Sequence, residues 1–315
     1  MFSCALSAPS NWHNPGKWGN MIKGICRRTL FMGVAIVAPV IALGSASPAF
    51  AAEHHPTGPY AVFKDCPLAN PAANGCVYAL TEGGEFIVGT STVPIKHTLT
   101  LQGGVHVTES GVDEFIAAEN GETLSKTPQA VPGGLAGLVK CYEISNIIER
   151  VACELVFENG LTGVNATTEL AGPASSIGLD LNNLIEEKGT AITLPVKVHL
   201  ENPLLGSECY IGSNSKPIPL PLTTGTTSPP APNKPISGSR GELTSEEFVL
   251  VTRGNVLVNN SFAAPEAQGC GGLFSFLIDP LVNAKLGLPS SAGHNTAILK
   301  GALKLAETSR VKESE

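Results

Sequence analysis

The chain has 315 residues, 43% hydrophobic and 15% charged, enough for one large domain or two small ones. All 27 acids lie after residue 52 and four of the 20 Lys and Arg before it, so the remainder carries 16 − 27 = −11. That balance excludes binding nucleic acid or an anionic surface through bulk charge. With Trp12 and Trp18 in the leader and only Tyr60, Tyr78, Tyr142 and Tyr210 as tyrosines, aromatic platforms for sugars or bases are not expected either.

Residues 21–52 read MIKGICRRTLFMGVAIVAPVIALGSASPAFAA. Lys23, Arg27 and Arg28 precede an apolar run, and Ala49-Phe50-Ala51 follows as an A-x-A site. This is the form of a bacterial export signal, cleaved between Ala51 and Ala52. The run falls short of the roughly 20 residues a spanning helix needs, and Pro39 interrupts it, so no transmembrane anchor is expected after cleavage. Residues 1–51 are read as leader and signal peptide, with 1–20 a gene-start error because Met21 is the better start. Cys26 stands where a twin-arginine signal prefers Ser or Thr, so the general pathway is expected. The expected location is extracellular or the cell envelope.

A chain beginning Ala52-Glu53-His54-His55 offers one candidate metal site. The amine of Ala52, two deprotonated amides and the imidazole of His54 match a square-planar Cu(II) or Ni(II) set. The plainer reading is a polar tail with chance histidines. Cleavage leaves six cysteines, Cys66, Cys76, Cys141, Cys153, Cys209 and Cys270, an even number that reads as three disulfides in an exported chain. Pairing in sequence order is expected, because local closure costs the least chain entropy: Cys66–Cys76, Cys141–Cys153 and Cys209–Cys270. No CxxC occurs, and no His stands at ligand spacing from a Cys pair, so zinc and redox sites are not expected.

Farther along, alternation broken by Gly and Pro predicts strands and turns. Residues 92–102 alternate cleanly: Val93, Ile95, Leu99 and Leu101 share one face, with His97 on the same side. Gly103-Gly104 predicts a hairpin into 105–110. Shorter strands are predicted over 86–89, 164–170, 248–252 and 255–258, and longer ones over 191–200 and 297–305. Three helices are predicted: one capped by Ser145 and ending at Asn159-Gly160, one capped by Asp180 over 181–188, and one starting at Asp279-Pro280 and ending at Gly287. Seven prolines in 217–238 predict an extended loop outside the sheet.

No G-x-S-x-G or H-E-x-x-H occurs, and His97, His106, His199 and His294 are scattered. Ser290-Ser291 lies too near His294 in sequence to mean a triad, which is assembled in space. No catalytic residue is assigned, and no cofactor motif is present. CPLANPAANGCVY at 66–78, CYIGS at 209–213, TTGTTSPPAPNKPISG at 223–238 and LGLPSSAGHNTAILKG at 286–301 resemble segments of an uncharacterised family of exported actinobacterial proteins. The resemblance implies a compartment and no activity.

The expectation is therefore a mainly β fold, a sandwich or distorted barrel with a few short helices, stapled by disulfides, as one exported domain over 52–315. Its expected role is non-catalytic, binding a small apolar or neutral ligand or serving structurally. The alternatives are a secreted hydrolase with an unrecognised site, and a self-associating pore or surface-layer component.

Overall fold

The computed structural model describes residues 54–107, 113–134, 145–148, 150–151 and 163–315. Fourteen strands form one antiparallel sheet that does not close into a barrel. They are β1 (Gly75–Val88), β2 (Ser91–Pro94), β3 (Leu99–Val107), β4 (Asp113–Ala117), β5 (Gln129–Ala130), β6 (Asn165–Leu170), β7 (Gly178–Leu179), β8 (Ile192–Glu201), β9 (Tyr210–Ile211), β10 (Ile218–Leu222), β11 (Glu242–Glu246), β12 (Val249–Asn259), β13 (Ala267–Gln268) and β14 (Thr296–Glu307). Three short α-helices lie wholly within the described residues: α1 (Leu181–Glu186), α2 (Ser275–Leu286) and α3 (Thr308–Glu313). The mainly β fold with few helices follows the expectation.

The main path runs β11-β12-β14-β1-β3-β4-β7-β8-β6-β5. β8 is the second hub, paired with β7 and β6 along one edge and with β10 and β9 along the other. The sheet curls so that alternate residues of β1, β3, β8, β10, β12 and β14 face one interior. Ile192, Leu194 and Val196 of β8 and Ile218, Leu220 and Leu222 of β10 are all buried there, as period-2 alternation requires. One bridge, Thr223 to Val258, ties the end of β10 to β12, with backbone bonds of 3.0 and 2.8 Å.

A second, smaller core lies on the other face of β1, β12 and β14. Tyr60 and Phe63 from a 3-10 turn (Gly58–Phe63), Cys66, Leu68, Cys76, Val249, Val251 and Val311 of α3 fill it. The beginning and end of the described chain meet there: Thr57 donates from both N and Oγ1 to the Ser314 carbonyl, at 3.2 and 2.7 Å.

Several expectations are corrected. Gly103-Gly104 makes no hairpin; β3 runs straight through both glycines to Val107. A Cβ on Gly104 would lie 2.8 Å from Pro67 Cγ, so the pair serves close approach and not a turn. The strand over 92–102 breaks between β2 and β3, which leaves His97 exposed; its backbone N–H donates to Gln129 Oε1 at 3.0 Å. The proline-rich stretch is not all loop, since β10 pairs with β8. Pro219 faces Pro195 and Pro221 faces Thr193 across that ladder. Neither proline of the first pair can donate, so these are the non-hydrogen-bonded positions, and Ile218, Leu220 and Leu222 carry the bonds.

Helix α1 has the expected Asp180 cap, which accepts from Asn183 N at 2.9 Å, but it stops at Glu186, with Glu187 left-handed at φ 56°. Helix α2 ends at Gly287 as expected but starts at Ser275, ahead of Asp279-Pro280. A 3-10 turn (Gly272–Phe274) feeds directly into it. Ile147, Ile148, Arg150 and Val151 are helical, and the rest of that predicted helix lies outside the described residues.

Candidate functional site: an apolar interior

Two adjoining cavities of about 70 Å3 each lie inside the curled sheet. Val131, Ala166, Ile218, Phe262 and Leu286 wall the first. Leu101, Phe115, Leu194, Leu257 and Leu303 wall the second. Phe86, Thr168, Val196 and Leu220 line both, so four side chains from β1, β6, β8 and β10 form the partition. Among the described residues, neither lining includes an acid, a base, a histidine or a cysteine. The few polar groups are neutral, and Gln129 is already engaged: its Oε1 accepts from Lys96 N and its Nε2 donates to the His97 carbonyl, at 2.8 and 2.7 Å. Phe86, Val88, Val93 and Val198 are only partly buried, which places the accessible side of the first cavity at the end of β1, at β2 and along β8.

Chemically, such a space selects against charge. An ion would lose its hydration with nothing to replace it, whereas an apolar group loses only unfavourable contact with water. Apolar cavities of this kind stay dry and accept small apolar molecules.

A broad groove of about 840 Å3 lies on the outer side, between β1, β14 and the hairpin turn at Glu247-Phe248. Its walls mix Val105, Leu250 and Leu305 with Asn70, Glu307 and Lys312. Larger but open and chemically mixed, it selects no ligand class, and its wall at Val107 adjoins residues outside those described.

The predicted site residues fall as follows. Cys66–Cys76 and Cys209–Cys270 are disulfides, and Cys141 and Cys153 lie outside the described residues. Ala52 is also outside them. His54 stands between two carboxylates, with Nδ1 2.7 Å from Glu315 Oε1 and Nε2 3.1 Å from Glu119 Oε2. Among the described residues, no cluster of three His, Cys, Asp or Glu is arranged to hold a metal ion. His106 Nδ1 donates to the Ala72 carbonyl at 2.7 Å.

His294 Nδ1 is 3.2 Å from Ser291 Oγ on an exposed turn. His199 stacks on Tyr210 with ring centroids 4.5 Å apart, and its Nδ1 lies 3.6 Å from Glu201 Oε1. Thr167 Oγ1 donates to that same carboxylate at 2.7 Å. The carboxylate therefore sits between hydroxyl and imidazole, which is not the hydroxyl–imidazole–carboxylate order of a triad. Burial, and then the nearby charges of Glu169, Glu208 and Glu201, push the Tyr210 phenol up from its ordinary range.

The sequence puts Val93, Leu99 and Leu101 on one face, and all three line the cavities, but it does not reveal the partition between them. Phe86 falls in a predicted short strand, and Leu220 in the stretch predicted to be a loop. Alternation through IPLPL was the available signal, masked by its prolines. No described helix is long and apolar enough to cross a membrane. No known protein family, curated protein or solved structure matches the chain.

Proposed function

We propose that this is a non-catalytic protein that holds a small, uncharged, apolar molecule inside its curled sheet. The observation that carries the reading is the pair of adjoining cavities in whose linings the described residues include no ionisable side chain. Rotation of Phe86, one of the four partition residues, would join the two spaces and admit a longer ligand. The protein would work outside the cytoplasm, within the exported actinobacterial family that it resembles. Two disulfides support that compartment, since such bonds persist where the surroundings are oxidising.

Native mass spectrometry of protein purified from its own culture tests the reading. The expected result is an added mass that disappears on denaturation and partitions into organic solvent. A bare protein from fresh culture that also takes up no small hydrocarbon, such as hexane or benzene, would overturn it. The denatured, unreduced mass also fixes the first residue of the exported form and counts its disulfides.

A further inference from the structure

The turn that leads into helix α2 holds three large apolar side chains out in water. Leu273 is 93% exposed, Phe274 63% and Phe276 71%. From Gln268 to Ile278 the sequence is QGCGGLFSFLI, with no charged residue. Loose apolar loops fold down onto a surface, whereas this one is fixed. Cys270 is tied to Cys209 by a disulfide. The Asp279 carboxylate accepts from Gly269 N at 3.2 Å and Cys270 N at 2.7 Å. Gly271 N donates to the Leu205 carbonyl at 2.7 Å. Gly271 itself is left-handed at φ 81°, and an added Cβ would come 2.6 Å from Ile278 Cγ1, so the turn closes tightly on a core residue. Behind it, Ile278, Val282 and Leu286 are buried at i, i+4 and i+8 and anchor the helix in the interior.

The other exposed apolar side chains differ. Phe248 carries the Arg310 guanidinium 4.7 Å above its ring. Val107, Ile147, Ile148 and Val151 border residues outside those described.

Area and charge choose the occupant. Three such side chains expose about 400 Å2 of apolar surface, against about 800 Å2 that each partner contributes to a stable protein interface. A second copy would need further matching surface to make up the difference. A bilayer needs no matching surface, and its hold scales with the apolar area inserted. No ionised group in the turn would have to lose its hydration on entry. The net −11 after residue 52 opposes an anionic headgroup layer, which leaves a neutral or zwitterionic one. We propose that the turn bearing Leu273, Phe274 and Phe276 docks on a neutral lipid bilayer and inserts these three side chains into it. The inference does not depend on a ligand in the interior. The two meet only in α2, whose far end, Leu286, lines the first cavity about 18 Å along the helix.

The chain's tryptophans are Trp12 and Trp18, so the form beginning at Ala52 has none. All of its described residues fall within one compact unit, Phe50–Glu315. Phe274→Trp therefore makes a single reporter at the tip, and Phe248→Trp a control on another exposed turn. With phosphatidylcholine vesicles, the tip reporter should shift to the blue and be quenched by brominated acyl chains, while the control stays unchanged. The unlabelled protein should co-sediment with these vesicles, more weakly when phosphatidylserine is mixed in. Leu273→Ser/Phe274→Ser/Phe276→Ser should lose about tenfold or more of the binding. An unshifted tip reporter together with no co-sedimentation would overturn the proposal. So would a dimer, seen by sedimentation without lipid, that the triple variant abolishes, because the occupant would then be a second copy. If the triple variant fails to fold, the paired reporters decide alone.

Discussion

The two faces of β1 are built to different standards of packing. On the outer face, Phe63 and Cys76 are almost wholly buried, the short disulfide Cys66–Cys76 closes the base, and α3 seals the top with Val311. The inner face has a far larger core and still leaves two cavities of about 70 Å3. Protein interiors normally leave few voids larger than a water molecule. At ~24 cal/mol per Å3, each of these forgoes about 2 kcal/mol. A fold that packs one side of a strand tightly is able to pack the other. The enclosed voids lie on the inner face, where the described lining residues carry no ionisable group, while the outer groove is open and chemically mixed; that contrast supports the proposed occupant.

Each region has its own disulfide, and cutting them compares the regions most forcefully. Cys209 and Cys270 belong to the inner core and stand 61 residues apart; Cys66 and Cys76, in the outer one, stand 10 apart. Loop-closure entropy makes the inner bond worth about 4 kcal/mol and the outer about 3. Urea unfolding of Cys209→Ser/Cys270→Ser and of Cys66→Ser/Cys76→Ser should show that order. The reverse order would mean that strain or residual structure outweighs chain entropy. The inner pair also holds the turn of Leu273 and Phe274, so its loss should loosen the tip as well.

Adding volume separates the faces more finely. Val251 lies in the outer core, so Val251→Leu should cost about 1–3 kcal/mol through overpacking. Ala166 lines the first cavity, and Ala166→Val should change stability by about 1 kcal/mol or less, because space already exists for the methyl groups. Thermal melts of the two variants measure the difference directly. Native mass spectra of Ala166→Val should show less bound ligand. Equal penalties at the two sites would remove the packing contrast.

The chemistry of single strands was readable in the sequence, and their assembly was not. β8 is legible because hydrophobic and polar residues alternate along it without interruption, and β14 because Ala297, Leu299, Leu303 and Leu305 share one face although Ile298 and Ala302 lie on the other. β12 was split in two because its register shifts between Arg253 and Asn255, where the sheet bulges. β10 was hidden because a proline at every second position reads as a sheet breaker, although those positions are the ones that need no donor. Asp279 misled for a related reason: a carboxylate before proline reads as a helix cap, and here it caps the neighbouring turn at Gly269 and Cys270. The cavity partition takes Phe86, Thr168, Val196 and Leu220 from four different strands, so no local pattern announces it.

Charge placement gives the smallest contrast. On the outer side, His54 lies against Glu119 and Glu315, so carboxylates there have a basic neighbour. At the margin of the inner region, Asp113 is buried opposite Leu179, which lines the second cavity. Burial raises its carboxyl above the ordinary 3.8; the Leu181 N–H, bonded to it at 3.3 Å, pulls the other way, and the nearby Asp180 charge raises it again. The folded protein thus holds this proton more tightly than the unfolded chain does. Its contribution to stability is full below the unfolded value and is lost as pH rises through the folded one. Asp113→Asn keeps an oxygen for the Leu181 N–H and removes the charge. Relative to wild type it should gain stability as pH climbs from about 4 toward neutrality, and the two should converge in more acid solution. A melting difference that stays constant across that range would mean Asp113 ionises freely, and the inner margin would then tolerate charge as well as the outer side does.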